Sequence, residues 1–214
     1  MRLNKMCPLC KSSLIQPFHQ DLRRKYLRCE QCNLVFVEPQ FLPSAAQEKS
    51  TYDLHQNNPH DLDYRKFLSK LATPLLSKLP PQSYGLDFGC GQGSALVAML
   101  EEAGHKIEKF DPFYANNPQV LAAKYSFITC TEAIEHFHKP AQEWAQLLAM
   151  LKPNGILGIM TKLMINREKF AAWHYTHDQT HVSFFSRKTF EFLAQRDNLS
   201  LEFVANDAMI FQKK

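Results

Sequence analysis

One stretch of this 214-residue chain has the residue types and spacing to hold a nucleotide-like ligand. Gly85 to Ser94 reads Gly-Leu-Asp-Phe-Gly-Cys-Gly-Gln-Gly-Ser, an apolar strand pattern running into three alternate glycines and then into the helical pattern Ala95 to Ala103. Such a turn lets a cofactor touch backbone, because side chains there would block its approach. The dinucleotide fingerprint is G-x-G-x-x-G. Here Gly89, Gly91 and Gly93 give G-x-G-x-G, with Cys90 inside the turn and Asp87 two residues before it. Glycine turns also occur without a ligand, so a second feature is needed. Ile107 to Asp111 supplies it, a strand-like run ending in a carboxylate about twenty residues after the glycines, where an acid accepts hydrogen bonds from ribose hydroxyls. The alternative is that Asp111-Pro112 merely starts a turn.

A second group is Cys7-Pro-Leu-Cys10 and Cys29-Glu-Gln-Cys32. Two C-x2-C knuckles eighteen residues apart fit four thiolates closing a tetrahedron around a structural zinc ion. Metal binding would let residues 1–40 fold as a zinc ribbon without a large core of their own. Two disulfides are disfavoured in a reducing compartment, and a redox C-x-x-C is disfavoured because there are two of them. Cys90 and Cys130 fall outside the spacing and read as small buried residues.

Composition bounds the class. The chain is 45% apolar with 25 basic and 21 acidic residues, and no apolar run approaches the length of a membrane span. Met1 to Lys11 lacks the apolar segment of a secretory signal, which sets a cytoplasmic location as the default expectation. The basic excess is concentrated in residues 1–40, where Arg23, Arg24 and Lys25 form a cluster that suits either a nucleic-acid contact or an ordinary solvated face.

The elements needed to position these groups follow from periodicity. Leu34 to Val37 reads as the last strand of the ribbon, and Pro39 to Ser50 as a connector. Thr51 to Asn58 is too polar for a core element and suits a lid over a ligand, or a plain loop. A helix is predicted over 61–79, with Leu62, Phe67, Leu68, Leu71, Leu75 and Leu76 on one face and a kink at Pro74. Residues 41–83 thus form a connecting unit before a cofactor-binding domain over 84–214. In that domain Tyr125 to Cys130 and Ile156 to Thr161 read as strands flanking a helix over 141–151. Ser186 caps a helix reaching Arg196, and Leu201 to Ala205 with Ala208 to Gln212 form a terminal hairpin. Only fifteen residues separate Asp111 from Phe127, too few for both a helix and a strand.

The order acid, apolar residue, then G-C-G-x-G, with Asp111 downstream, resembles motif I of the class I S-adenosylmethionine (SAM) methyltransferases, and the ribbon with Tyr52 to Asn57 is similar to a bacterial subgroup of that family. The resemblance implies an α/β fold, a Rossmann-like sheet ending in an antiparallel hairpin, with the small ribbon attached. It implies SAM as cofactor, contacted by Asp87, Gly89, Cys90, Gly91, Gly93, Asp111, Thr131 and Glu132. The family's third strand, with its adenine contacts, is the element that the short Asp111–Phe127 spacing omits.

After the fourth family strand, Thr131-Glu132-Ala133-Ile134-Glu135-His136 resembles motif IV of ubiquinone-type O-methyltransferases and of small-RNA 2′-O-methyltransferases. In the latter, E-x-x-E-H and a later histidine bind a divalent metal. Thr180-His181 before Phe184-Phe185-Ser186 resembles the segment carrying that histidine, which favours His181 over His174 and His177. The resemblance therefore implies Glu132, Glu135, His136 and His181 as catalytic residues and as ligands of a second divalent metal, with Mg2+, Mn2+, Fe2+ or Zn2+ suited better than Ca2+. Without a metal, the first glutamate contacts cofactor or substrate and the histidine acts as a base or packs. Three functions follow: O-methylation of a small hydroxylated acceptor, methylation of RNA anchored by the ribbon, and non-catalytic SAM sensing.

Overall fold

Strands with long buried apolar runs, separated by helices with one apolar face, must stack as a sheet between two helical layers. The computed structural model, which describes residues 6–54 and 58–214, has this arrangement. Six strands take part: β4 (Tyr84–Phe88), β5 (Lys106–Phe110), β6 (Tyr125–Thr131), β7 (Leu151–Met160), β9 (Leu199–Phe203) and β10 (Ala208–Lys213). They lie in the order β5-β4-β6-β7-β10-β9. Strands β5, β4, β6 and β7 are mutually parallel, whereas β10 runs antiparallel to both β7 and β9. Right-handed crossovers from parallel strands leave their carboxyl ends, and the loops that follow them, on one edge where ligands bind.

Helices α2 (Leu62–Leu76) and α3 (Ala95–Glu102) cover one face, with Leu68, Leu71, Leu75, Leu96 and Leu100 packed on Phe127, Ile156 and Ile210. On the other face α4 (Pro140–Met150) and α6 (Arg187–Arg196) bring Trp144, Leu147, Phe190 and Leu193 onto Leu157, Ile159 and Phe211. Ser186 caps α6 through a reciprocal side-chain and backbone bond with Thr189. Between β5 and β6 there is a 3-10 turn, Pro118–Ala122, and no strand, so the short spacing does omit the third strand.

The N-terminal segment folds as β1 (Ile15–Gln20), β2 (Lys25–Cys29) and β3 (Val35–Val37), all antiparallel. Its sheet has a fourth member from the far end of the chain, β8 (Ser183–Phe184), which pairs with β3. A shared apolar cluster forms behind this joint: Phe18, Tyr26, Val35 and Val37 pack with Phe170, from the one-turn helix α5 (Arg167–Ala171), and with Tyr175, Val182 and Phe184. The ribbon is therefore bonded into the larger domain rather than tethered beside it.

Several boundaries differ from the sequence reading. The connector holds a helix, α1 (Ala45–Tyr52), started by a capping box between Ser44 and Gln47. Helix α2 ends three residues early, with Pro74 in its last turn, and Leu62 is 80% exposed instead of facing the core. Asp61, its N-cap, accepts from the Asp63 and Tyr64 amides, and that geometry points Leu62 outward. Strand β7 begins at Leu151, so Pro153-Asn154-Gly155 lies within it and not before it. Of the expected lid, Thr51 and Tyr52 close α1, Asp53 and Leu54 follow it, and residues 55–57 lie outside the described residues. Among the described residues no helix is long and apolar enough to cross a membrane.

Candidate active site

The carboxyl ends of β4, β5 and β6 open into a cleft of about 690 Å³. Its floor is the glycine turn between β4 and α3. Gly89 has φ +79° and Gly91 φ +61°, conformations that cost a residue with a side chain energy. A Cβ built on Gly89 would lie 2.5 Å from the Ala133 Cβ. Gly89→Ala is therefore expected to weaken SAM binding at least about tenfold and to destabilise the protein by about 1–3 kcal/mol. Calorimetric titration with SAM and a thermal melt would check this. Unchanged affinity would remove the turn from the cofactor site.

Asp87 lies below the turn and braces it. Its carboxylate accepts from the Ser94 hydroxyl and from the Thr129 hydroxyl, both at 2.6 Å, and it is 1% exposed. Burial pushes its carboxyl above the usual range. Asp111 closes the same turn from β5: Oδ2 accepts from the Gly91 amide at 3.1 Å, and Oδ1 from the amides of Phe113 and Tyr114. Four lone-pair sites on a carboxylate leave room for a hydroxyl beside these three bonds. Asp111 thus starts the turn, as one reading had it, and keeps a lone-pair site for a further donor. Cys90, Gly93 and Thr131 also line the cleft.

Above the floor stands α1. Tyr52 packs edge-on to His136 with ring centroids 5.2 Å apart, and its ring is 5.8 Å from that of Phe113. Its carbonyl accepts from Gln92, while Asp53 accepts from the Tyr114 hydroxyl. Glu48, one turn earlier, meets His138 at 2.9 Å across the mouth. None of the α1 residues is buried, so hydrogen bonds and ring contacts with the cleft's rim, more than core packing, hold this helix.

Three groups converge deeper in the cleft. Among the described residues, Glu135, His136 and His181 offer ligand atoms that all lie within 4.8 Å of one another. His136 meets the Thr180 carbonyl at 3.0 Å through Nδ1, and His181 meets the Tyr175 carbonyl at 2.7 Å through Nδ1. A carbonyl only accepts, so each Nδ1 carries the proton and each Nε2 presents a lone pair. Glu135 is fully buried; one oxygen accepts from the Tyr175 hydroxyl, and Oε2 has no hydrogen-bonding partner. Burial, and next the Glu132 carboxylate, pushes Glu135 up to about 8, while burial and then His181 hold His136 down to about 3. Burial also lowers His181. Two neutral imidazoles, the Nε2 of His181 lying 3.8 Å from Asp178 Oδ2, beside an orphaned carboxylate oxygen form a donor set suited to a dication. Bonds of about 2.1 Å put tetrahedral donors about 3.4 Å apart, so donors separated by as much as 4.8 Å would have to draw in by about 1.4 Å.

Glu132 does not join this group. Its φ of +47° is rare for a residue with a side chain, and its amide bonds the Met160 carbonyl. Its carboxylate is near enough to raise that of Glu135, but it is not among the three groups whose ligand atoms lie within 4.8 Å of one another. Its Oε1 is buried without a partner, and burial pushes it up to about 7. A strained acid on the wall of a cleft marks a place where the fold tolerates cost for position. Of the rival histidines, His174 and His177 are exposed, His174 meeting Lys162 at 2.9 Å.

The four ribbon cysteines also come together, outside the cleft lining. Cys7 and Cys32 sulfurs are 3.5 Å apart, as are those of Cys10 and Cys29, and all four lie within 4.8 Å. Disulfide sulfurs would be about 2 Å apart. A tetrahedron of Zn–S bonds near 2.3 Å puts sulfurs about 3.8 Å apart, so the cysteines fit that ion. The Cys32 contact draws Cys7 down to about 5. Cys90 and Cys130 are free and buried, away from this cluster.

The partners that hold the site were not marked by local motifs. Tyr175 and Arg24 act across 40 and about 150 residues of sequence, and only α1 carried a local signal, its Ser44-x-x-Gln47 capping box.

A family model described as a methyltransferase domain matches residues 52–202. Among curated proteins, a ubiquinone biosynthesis O-methyltransferase from Histophilus somni (strain 2336) is 29% identical over 147 residues, covering 56% of this chain and 57% of that protein, so the match spans less than two thirds of the relative's length. Among solved structures, an O-methyltransferase family protein from Burkholderia thailandensis superposes with a TM-score of 0.54 at 14% identity, covering 81% of this chain and 65% of that one. The 1,6-didemethyltoxoflavin-N1-methyltransferase of the same organism, solved with 1,6-didemethyltoxoflavin and S-adenosylhomocysteine, gives 0.52 at 16% identity over 93% of this chain and 99% of that one.

Proposed function

The chain belongs to the methyltransferase-domain family and is a SAM-dependent methyltransferase, and from that premise we propose that it methylates an oxygen of a small hydroxylated acceptor. The observation that carries the oxygen assignment is the convergence of Glu135, His136 and His181 in the cleft that the glycine turn opens into. The likeness to the ubiquinone-type O-methyltransferase supports the same reading.

When bound, SAM supplies an electrophilic methyl group on a sulfonium. Gly89, Gly91 and Gly93 would present backbone to it, Asp111 would accept from its ribose, and Asp87 and Glu132, whose carboxyls burial raises, would ionise more readily beside its cation. A divalent metal held by Glu135, His136 and His181 would supply Lewis acidity toward the acceptor hydroxyl. With no metal bound, the Nε2 lone pairs would instead be open to take the proton as the hydroxyl attacks, His181 more readily than His136. Tyr52 and α1 restrict water and keep the acceptor in line, so that positioning supplies much of the rate. The cysteine quartet would hold a structural zinc ion, with no contact to the cleft.

An RNA acceptor is the competing reading. It rested partly on Arg23, Arg24 and Lys25, and Arg24 is 4% exposed with its guanidinium turned inward. The test is transfer of labelled methyl from SAM into a cell extract that is then separated into RNA, protein and metabolites. Label in the metabolite fraction is expected; label confined to RNA would overturn the small-acceptor assignment.

A further inference from the structure

Residues 174–182 carry His181 to the site, yet their only regular element is the 3-10 turn His174–Thr176. Backbone carbonyls in such a segment need donors from elsewhere. Four of them point at one side chain. Arg24 Nη1 donates to the carbonyls of Gln179 and His181, each at 2.9 Å. Its Nη2 donates to those of Thr176 at 2.7 Å and Asp178 at 3.1 Å. Nε donates to the Tyr26 hydroxyl at 3.1 Å, which in turn donates to Asp21 at 2.6 Å.

A guanidinium has five N–H donors in a rigid plane, and here the five contacts match the five donors. A buried cation with this degree of satisfaction is held for its geometry, because burial of charge is costly unless every donor is paired. Arg24 stands immediately before β2, so the donor belongs to the ribbon and the acceptors to the catalytic loop. A second link runs alongside. The Val37 amide of β3 donates to the Val182 carbonyl, and the Val182 amide donates to the Glu135 carbonyl, both at 2.9 Å. Tyr175, whose hydroxyl bonds Glu135 and whose carbonyl orients His181, lies just before the carbonyls that Arg24 gathers.

We infer that Arg24 is a positioning residue for the active site: its guanidinium gathers the 176–181 carbonyls, sets His181 against Glu135 and His136, and makes the ribbon a working part of the acceptor site. The metal-affinity part rests on the triad being a metal site; the loop-order part does not.

The experiment compares full-length, zinc-loaded wild type with Arg24→Ala, Arg24→Lys and, as a charge control on an exposed neighbour, Arg23→Ala. Three quantities are read: amide hydrogen exchange over 174–182, Mn2+ affinity by electron paramagnetic resonance, and SAM affinity by calorimetry. Arg24→Ala is expected to speed loop exchange and to weaken Mn2+ binding about 10–100-fold, as loss of a group that orients metal ligands does, with SAM affinity unchanged. Lysine, with three donors, should give an intermediate loss, and Arg23→Ala none. Millimolar guanidinium should restore part of the Mn2+ affinity of Arg24→Ala.

Wild-type loop exchange and Mn2+ affinity in folded Arg24→Ala would overturn the inference. If wild type binds no Mn2+, the metal reading falls and loop exchange alone decides: faster exchange sustains the positioning role, and unchanged exchange ends it. Should Arg24→Ala fail to fold, Arg24→Lys carries the same comparison.

Discussion

Cys29→Ser is expected to lower bound zinc from one ion per chain to none and to unfold residues 6–38 while the six-stranded sheet stays folded. Metal binding in small ribbons contributes folding free energy of about 10–16 kcal/mol, more than so few residues gain from apolar burial. The four sulfurs are already gathered, and Cys7, Cys29 and Cys32 are fully buried, so an empty or serine-bearing cluster would leave polar groups packed against Leu9 and Leu34. Because Tyr26, Val35 and Val37 share a core with Tyr175 and Phe184, the damage should spread to the 174–182 loop. Metal analysis of the purified chain and hydrogen exchange by segment would measure both. A wild-type chain reconstituted with zinc that holds none would end the zinc assignment, and protection in 174–182 surviving metal removal would refute the spread.

Glu135→Ala and His181→Ala should each lower methyl transfer by about 10²–10⁴-fold, the range in which a positioned proton acceptor or metal ligand acts. The side-chain hydrogen bonds of both residues run to Tyr175 and not to the glycine turn, so SAM affinity should change little. The metal reading adds a finer expectation. Glu135→Gln should abolish Mn2+ binding, whereas Glu132→Gln should leave it in place, because only Glu135 shares the cluster with the two imidazoles. Full turnover in chelator by both alanine variants would exclude the triad from the reaction. Loss of Mn2+ binding in Glu132→Gln would restore the four-ligand arrangement.

Local patterns made the cofactor half of the molecule readable. The glycine spacing, the carboxylate ending β5 and the two cysteine knuckles are short-range signals, because backbone geometry and metal coordination dictate them within a few residues. The missing third strand followed from length alone. What escaped was long-range or weakly apolar. Helix α1 buries none of its residues, so no periodicity marked it, and only its capping box did. Glu132 looked equivalent to Glu135 in the motif, and nothing local announced that its backbone takes a positive φ. Arg24 looked like one of three solvated cations, and its role depends on carbonyls about 150 residues away.

The pairing of β3 with β8 has a consequence for the order in which this protein reaches its working state. Val35 and Phe184 are register partners across most of the chain. Contacts of such separation form late, since the chain between them must be restrained before the pairing is rewarded. On a ribosome the ribbon emerges first and waits for the segment that completes its sheet. The 174–182 loop is bonded to that joint, so methyl-transfer competence should appear in the slowest phase of refolding, after the six-stranded sheet has formed.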